Sequence, residues 1–401
     1  MLSGAVGRRF RVEPGRGARS HGRFPASRMS VPSTLPDLAA IARSFSLPGE
    51  FRSAKPHGSG HINDTYAVEL DQAGARVRFL LQRINDRVFA DVPALMENIQ
   101  RVTRHAVARA GGGPDASRRA LHLVSTADGQ PCRRDAAGAW WRCYHFIERA
   151  RSYDLVQTPA HARAAARAFG EFQRLLVDLP GRRLHETIPA FHDTRRRFTA
   201  FQRALAADAH NRAAGARAEI EFALRHEPLA DVLLGLQARG EIPERVTHND
   251  AKFNNVMLDD VTHEALCVVD LDTVMPGLAL HDFGDLVRSA TNAAVEDEPD
   301  PGRVHARPEI FAALAEGYLS SARPFLNPAE LAHLAASGLV ITFEQGLRFL
   351  TDHLAGDVYY KIRHPGHNLV RAANQFALVR SLEAQRSALE TCVRRVAQAT
   401  A

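Results

Sequence analysis

Val246-Thr247-His248-Asn249-Asp250-Ala251-Lys252-Phe253-Asn254-Asn255-Val256-Met257-Leu258, followed after a turn by Cys267-Val268-Val269-Asp270-Leu271-Asp272, is the densest polar constellation in this 401-residue chain. Apolar, β-branched runs bracket two polar clusters, so the stretch reads as short strands with polar loops at their ends. This β-rich island, residues 245–272, interrupts a half of the sequence that is otherwise helical in pattern. Before it, Thr158-Pro159 is an N-cap followed by proline at the first helical position, opening a helix to about Val177. Further helical patterns cover about 194–207, 212–225 and 229–239, and beyond the island 308–321, 328–354 and 367–396. The acidic, proline-containing segment 291–304 reads as an exposed loop.

Towards the N-terminus the periodicity changes. Residues 36–45 read as a short amphipathic helix, and 51–57, 65–70 and 77–84 as a three-stranded meander. Gly58-Ser59-Gly60-His61-Ile62-Asn63-Asp64 joins the first two strands, and Asp71-Gln72-Ala73-Gly74 the next two. Asp91 makes a good N-cap for a helix with Leu95, Ile99 and Val102 on one face. Strands at 121–125 and 139–148 follow. The chain therefore divides into residues 31–150, five strands and one helix, and residues 151–401, mainly helical: an α+β organisation. Residues 1–30, rich in Arg, Gly and Ser, are expected to be a disordered extension, with Met29 an alternative start.

Phosphoryl transfer needs a carboxylate to orient a hydroxyl and accept its proton, oxygen ligands for magnesium, and a cation on the transferring group. The island supplies all three. Asp250 has Lys252 at +2, Asn255 at +5 and His248 at −2, the spacing of the kinase catalytic loop H-R-D-x-K-x-x-N. Asp270 ends an apolar strand where a kinase places its chelating Asp. Lys252 is placed to contact the γ-phosphate. Asp272, two residues along the same expected strand, faces the same way as Asp270 and is a further candidate ligand. No Lys ends the third strand, where kinases keep the cation for the α- and β-phosphates. Arg83 is the expected substitute, with Glu97 as its ion-pair partner, although Gln82 occupies the neighbouring register. Gly58-Ser59-Gly60 carries part of a phosphate-covering glycine loop.

The segments His248–Asn255, Val269-Asp270-Leu271-Asp272-Thr273-Val274-Met275-Pro276-Gly277 and His281-Asp282-Phe283-Gly284-Asp285 resemble the aminoglycoside phosphotransferase and choline kinase superfamily. They are most similar to its N-acetylhexosamine 1-kinase branch. That branch also shows the loop 58–66, Leu81-Gln82-Arg83-Ile84-Asn85, Thr187-Ile188-Pro189-Ala190-Phe191-His192-Asp193-Thr194 and Gly356-Asp357-Val358-Tyr359-Tyr360-Lys361, so the resemblance covers roughly residues 35–390. It implies a bilobal protein-kinase-like fold, a small antiparallel β N-lobe and a larger helical C-lobe, with ATP and Mg2+ between them. By the same resemblance Asp250 is the base, Asn255 and Asp270 are the metal ligands, Asp282 is a buried carboxylate steadying the catalytic loop beside His248, and His61, His192, Asp193 and Tyr360 are candidates for the acceptor pocket.

Composition narrows the alternatives. A net charge of +6 from scattered Arg, without a zinc-finger, RNP or basic-zipper pattern, argues for a solvated basic surface rather than a nucleic-acid binder. No apolar run suits a bilayer span, and four dispersed cysteines suit a reducing cytosol, so a cytoplasmic protein is expected. A choline site would want an aromatic cage and an aminoglycoside site an acidic patch, which this basic chain does not suggest. A protein kinase lacks support because no D-F-G to A-P-E segment follows Asp270, and a non-catalytic pseudokinase because no base or metal residue is lost. The expectation is a kinase acting on a small molecule, an amino sugar phosphorylated on its anomeric hydroxyl, with homoserine or another sugar as alternative acceptors. Oligomeric state is not legible.

Overall fold

The computed structural model describes residues 36–58, 62–110 and 116–400; the extension 1–30 lies outside them. After α1 (Leu38–Arg43), the chain builds β1 (Glu50–Pro56), β2 (Asp64–Gln72) and β3 (Ala75–Ile84) as an antiparallel meander. The β2–β3 turn is the Ala73-Gly74 pair, both at positive φ (53° and 86°), the geometry that matches strand twist in a tight hairpin. Asp91 caps α2 (Val92–Arg109) by accepting from the Ala94 amide at 3.0 Å. β4 (Leu123–Val124), β5 (Arg133–Arg134) and β6 (Trp140–His145) complete the sheet, in the order β1-β2-β3-β6-β4 with β5 on β6. Two strands read from sequence thus shorten, and β5 was not anticipated.

This sheet has a core on each face. Val68, Leu70, Phe79, Leu81, Trp141 and Cys143 pack beneath Ile41 and Ala42 of α1. The opposite face, with Ile84 and Tyr144, joins α2 and the main core of the helical region. Because side chains alternate along a strand, Gln82 and Arg142 share the second face and Arg83 lies on the first.

β7 (Ala150–Arg151) leads into α3 (Pro159–Leu176), whose cap is Thr158 as read from sequence. α4 (Thr194–Ala207), α5 (Arg217–Arg225) and α6 (Val232–Ala238) follow, the last two entered through 3-10 turns at Ala213–Ala216 and Glu227–Asp231. The island forms β8 (Arg245–Thr247), β9 (Val256–Asp259), β10 (Ala265–Val268) and β11 (Met275–Gly277). β9 pairs with both β10 and β7, and β8 with β11. α7 (Ala279–Thr291), α8 (Pro308–Ala322), α9 (Pro328–Leu354), α10 (His367–Ala384) and α11 (Arg386–Ala399) make up the rest. The single helix expected over 367–396 is two, parted at Gln385, whose side chain bonds Ala306 O and Ser381 O.

The missed helix is α7. Its sequence does carry a helical period, Leu280, Phe283, Leu286, Val287 and Ala290, but the polar residues between them, Asp282, Asp285 and Arg288, are buried as well. It packs tightly on α9 through Gly284, where an added Cβ would lie 2.5 Å from Ser337 O and 2.6 Å from Ile341 Cγ1. Gly284→Ala is therefore expected to destabilise the fold by about 1–3 kcal/mol despite the better helix propensity of Ala. A denaturation midpoint equal to that of the parent would show that the α7–α9 contact yields at no cost.

Candidate active site

β8 delivers the chain into residues 248–255, and its own position is fixed by Arg245, whose guanidinium bonds both oxygens of the buried Glu330 at the start of α9 (2.7 and 2.8 Å). The loop is held from below by Asp282. Its carboxylate accepts from the His248 amide at 2.9 Å, the Asn249 amide at 2.7 Å and Gln173 Nε2 of α3 at 2.6 Å. Asn249 adopts a left-handed conformation (φ 62°), which Asn tolerates better than most residues, and its side-chain Nδ2 donates to Thr273 O at 3.0 Å. His248 Nδ1 accepts from the Asp250 amide at 3.3 Å, which leaves Nε2 to donate to Val269 O at 2.9 Å. The loop and the segment following β10 are thereby locked together, and the Val269 amide to Asn255 O bond, 2.9 Å, repeats the lock.

Asp250, Lys252 and Asn255 converge. Lys252 Nζ lies 2.9 Å from Asp250 Oδ2, and Asn255 Nδ2 donates to that oxygen at 3.0 Å and to the Asp250 carbonyl at 2.8 Å. Oδ1 accepts no hydrogen bond among the described residues. Burial, the largest single effect, works against the Asp250 charge, but Lys252, His248 and Arg288 together outweigh it and hold the pKa at about 2. Lys252, resisted by the same burial, is kept charged by Asp250 and Asp270.

Asp270 is left-handed (φ 62°, ψ 58°), and its carboxylate accepts no hydrogen bond among the described residues. It is reachable by solvent yet surrounded by protein, and that desolvation, with Asp272 as the second cause, pushes its pKa up to about 6. No group of three or more His, Cys, Asp or Glu side chains suited to a metal occurs among the described residues. The donors here are different in kind: the free Asp270 carboxylate and the Asn255 amide oxygen, hard ligands of the type a small divalent cation takes. The donor set fits magnesium.

Asp272 does not share a strand face with Asp270, because Leu271–Thr273 is a 3-10 turn. Both Asp272 oxygens are already engaged, one by the buried Arg142 guanidinium and the other by Asn63 Nδ2 at 2.6 Å. Arg142 in turn donates to Gln82 Oε1 at 2.9 Å. The Arg83–Glu97 pair is not formed either. Arg83 is exposed and its nearest carboxylate is Asp64, 3.8 Å away, while Glu97 pairs with Arg182 at 2.7 Å and His185 at 2.9 Å. The register read as ambiguous resolves in favour of Gln82, and the cation on that face is Arg142. Its signal was an Arg in the middle of the apolar run Trp140-Trp141-Arg142-Cys143-Tyr144, where an unpaired charge is rare.

Gly58 has φ 77° with open space around it, whereas Ser59, Gly60 and His61 lie outside the described residues. Asp193 is the N-cap of α4, accepting from the Arg196 amide at 2.8 Å. His192 is buried with both ring nitrogens bonded inside the protein, at 2.8 Å to Glu344 Oε1 and 2.8 Å to Asn249 O, so it has no free group for an acceptor. Tyr360 packs against Phe349 and Tyr359, and its hydroxyl accepts from Gln345 Nε2 at 3.3 Å. Sequence reading missed the arginines beside it. Arg348 stacks over Phe191 and Tyr360 (4.9 and 5.8 Å), and Arg197 donates to Phe191 O at 2.9 Å. After burial, the charge of Arg348 is the main influence lowering the pKa of Arg197, and Asp250 is among the groups favouring the Arg348 charge.

A model of the phosphotransferase enzyme family APH matches residues 53–328, and the chain belongs to that family. It is thus a phosphotransferase by class. The fold is shared with an aminoglycoside phosphotransferase from Alicyclobacillus acidocaldarius, at 13% identity and TM-score 0.54, over 93% of this chain and 99% of that one. It is shared also with a choline kinase from Cryptosporidium parvum, at 13% identity and TM-score 0.52, over 85% of this chain and 91% of that one. The β-sheet N-terminal region and helical C-terminal region are those of a kinase-like fold. No described helix is long and apolar enough to cross a membrane.

Proposed function

We propose that the protein transfers the γ-phosphoryl group of ATP to the anomeric hydroxyl of N-acetylglucosamine or N-acetylgalactosamine. The observation that carries the kinase chemistry is the Asp250, Lys252 and Asn255 cluster beside Asp270, whose carboxylate accepts no hydrogen bond among the described residues, on a loop pinned by Asp282. In this reading the acceptor oxygen attacks the γ-phosphorus, the bond to the β–γ bridging oxygen breaks, ADP leaves, and Asp250 takes the hydroxyl proton. A carboxylate with a pKa of about 2 is a weak base, but it is fully ionised at neutral pH and orients the hydroxyl, which matters more in a loose transition state. Lys252 offsets charge on the transferring phosphoryl. Asn255 and Asp270 would hold magnesium, which when bound neutralises charge on the phosphates. Gly58 and the loop it opens would lie over the nucleotide.

The acceptor assignment is supported by the helical wall near Asp250. Arg197 and Arg348 form no ion pair among the described residues, and a wall bearing two half-buried guanidinium cations disfavours choline or an aminoglycoside. It suits a polyol with a carbonyl, such as an N-acetylated sugar, because guanidinium offers only donors. A site that bonds each hydroxyl loses affinity steeply when one is missing. The expected result is that the free sugars are phosphorylated at C1, located by NMR of the product, and that the 1-O-methyl glycosides are inert. Phosphorylation of the methyl glycoside at a rate close to the free sugar would shift the assignment to a 6-kinase. Turnover of choline or an aminoglycoside with no hexosamine turned over would remove the sugar reading.

A further inference from the structure

We propose that His192 is a positioning residue, a buried imidazolium that ties the backbone of the loop carrying Asp250 to Glu344 on α9. The two partners of its ring decide its charge. Glu344 Oε1 and Asn249 O, each at 2.8 Å, can only accept, so both ring nitrogens must donate, and only the doubly protonated ring does that. The side chains of His192 and Glu344 are 6% and 1% exposed, and the second Glu344 oxygen is taken by Thr194 Oγ1 at 2.5 Å. The pair is therefore closed to solvent and complete.

The groups around it agree. From α7, His281 stands 4.7 Å from the His192 ring, and Asp285 adds negative charge. From α9 come Glu344 and the more distant Arg348, and from the loop itself the Asn249 carbonyl. Burial, the largest single effect, opposes charge on His192, but Glu344, the Asn249 carbonyl and Asp285 together outweigh it and the pKa is raised. The His281 pKa is pushed down to about 3, by burial first and the His192 charge second. Of two touching histidines, one is charged and one neutral.

What the bond does follows from its neighbours. Asn249 has its amide held by Asp282, its side-chain nitrogen by Thr273 O and its side-chain oxygen by the Thr247 hydroxyl at 3.0 Å. Its carbonyl is the remaining polar group, and His192 takes it. The residue immediately before Asp250 is thus saturated, and α9, which carries Arg348 four residues after Glu344, is brought into register with the base. A displaced base is costly, since misplacement by an ångström can lower a rate on the order of a hundredfold.

The proposal rests on the reading of Asp250 as the group that meets the acceptor, and its tests separate the two. With ATP, magnesium and N-acetylglucosamine, His192→Gln is expected to lower kcat by roughly ten- to a hundredfold with acceptor KM within a few-fold of the parent. A raised KM with kcat preserved overturns it in favour of a direct acceptor contact. Because the raised folded pKa means the bond is complete below the unfolded value and lost as pH rises through the folded one, kcat should decline on the alkaline side. Glu344→Gln, of equal shape, should move that decline to lower pH. The third readout needs no turnover: 15N NMR of the intact protein at pH 7 should show His192 doubly protonated. A neutral His192 ring overturns the proposal whether or not any sugar is phosphorylated, whereas absence of sugar turnover by the parent, with the ring charged, defeats only the functional reading.

Discussion

Asp250→Asn is expected to lower kcat by roughly a hundredfold or more while leaving the fold and nucleotide affinity close to those of the parent. Asn keeps the shape and can still meet Asn255 and the acceptor hydroxyl, but it cannot take a proton. It also leaves Lys252 without the carboxylate 2.9 Å away that most favours its charge. Two losses act together, so the effect belongs at the upper end for a general base. Steady-state kinetics, with ATP binding followed by calorimetry, checks it. A variant that turns over within a few-fold of the parent would show that Asp250 is not the base.

Asp270→Ala is expected to abolish the magnesium dependence of ATP binding. Asn255 alone offers one neutral oxygen, and a divalent ion needs carboxylate charge to displace its waters. Asp272 cannot substitute without giving up Arg142 and Asn63, which hold its two oxygens. Calorimetric titration of ATP with and without magnesium, on Asp270→Ala and on Asp272→Asn, separates the two carboxylates. Unchanged metal-dependent affinity in the first variant, with loss in the second, would transfer the ligand role to Asp272.

What could be read from the sequence was what is local. The caps at Asp91 and Thr158, the helix over 328–354 and the convergence of Asp250, Lys252 and Asn255 depend on residues close in the chain, and they appear where the spacing put them. What escaped was decided by distant partners. Arg142 finds Asp272 130 positions away, and Glu344 finds His192 across 152. Neither pairing leaves a periodic trace. α7 carries a helical period in Leu280, Phe283, Leu286, Val287 and Ala290, but its Asp282 and Asp285 read as site residues rather than as the polar side of a helix. Arg83 was the better guess by charge and the worse by register, since a shift of one residue reverses the face of a strand.

The engagement of Asp272 has a mechanical consequence. One carboxylate receives Arg142 from the sheet and Asn63 from the base of the glycine loop, and Asn63 in turn accepts from the Asn85 amide at 3.0 Å. Removing either member of the Arg142–Asp272 pair would leave the other charge buried and unpartnered, which typically costs about 3–5 kcal/mol. Asp272 thus rivets the sheet to the helical region at one point, through which Arg142, Asn63 and, by way of Asn63, Asn85 are all held.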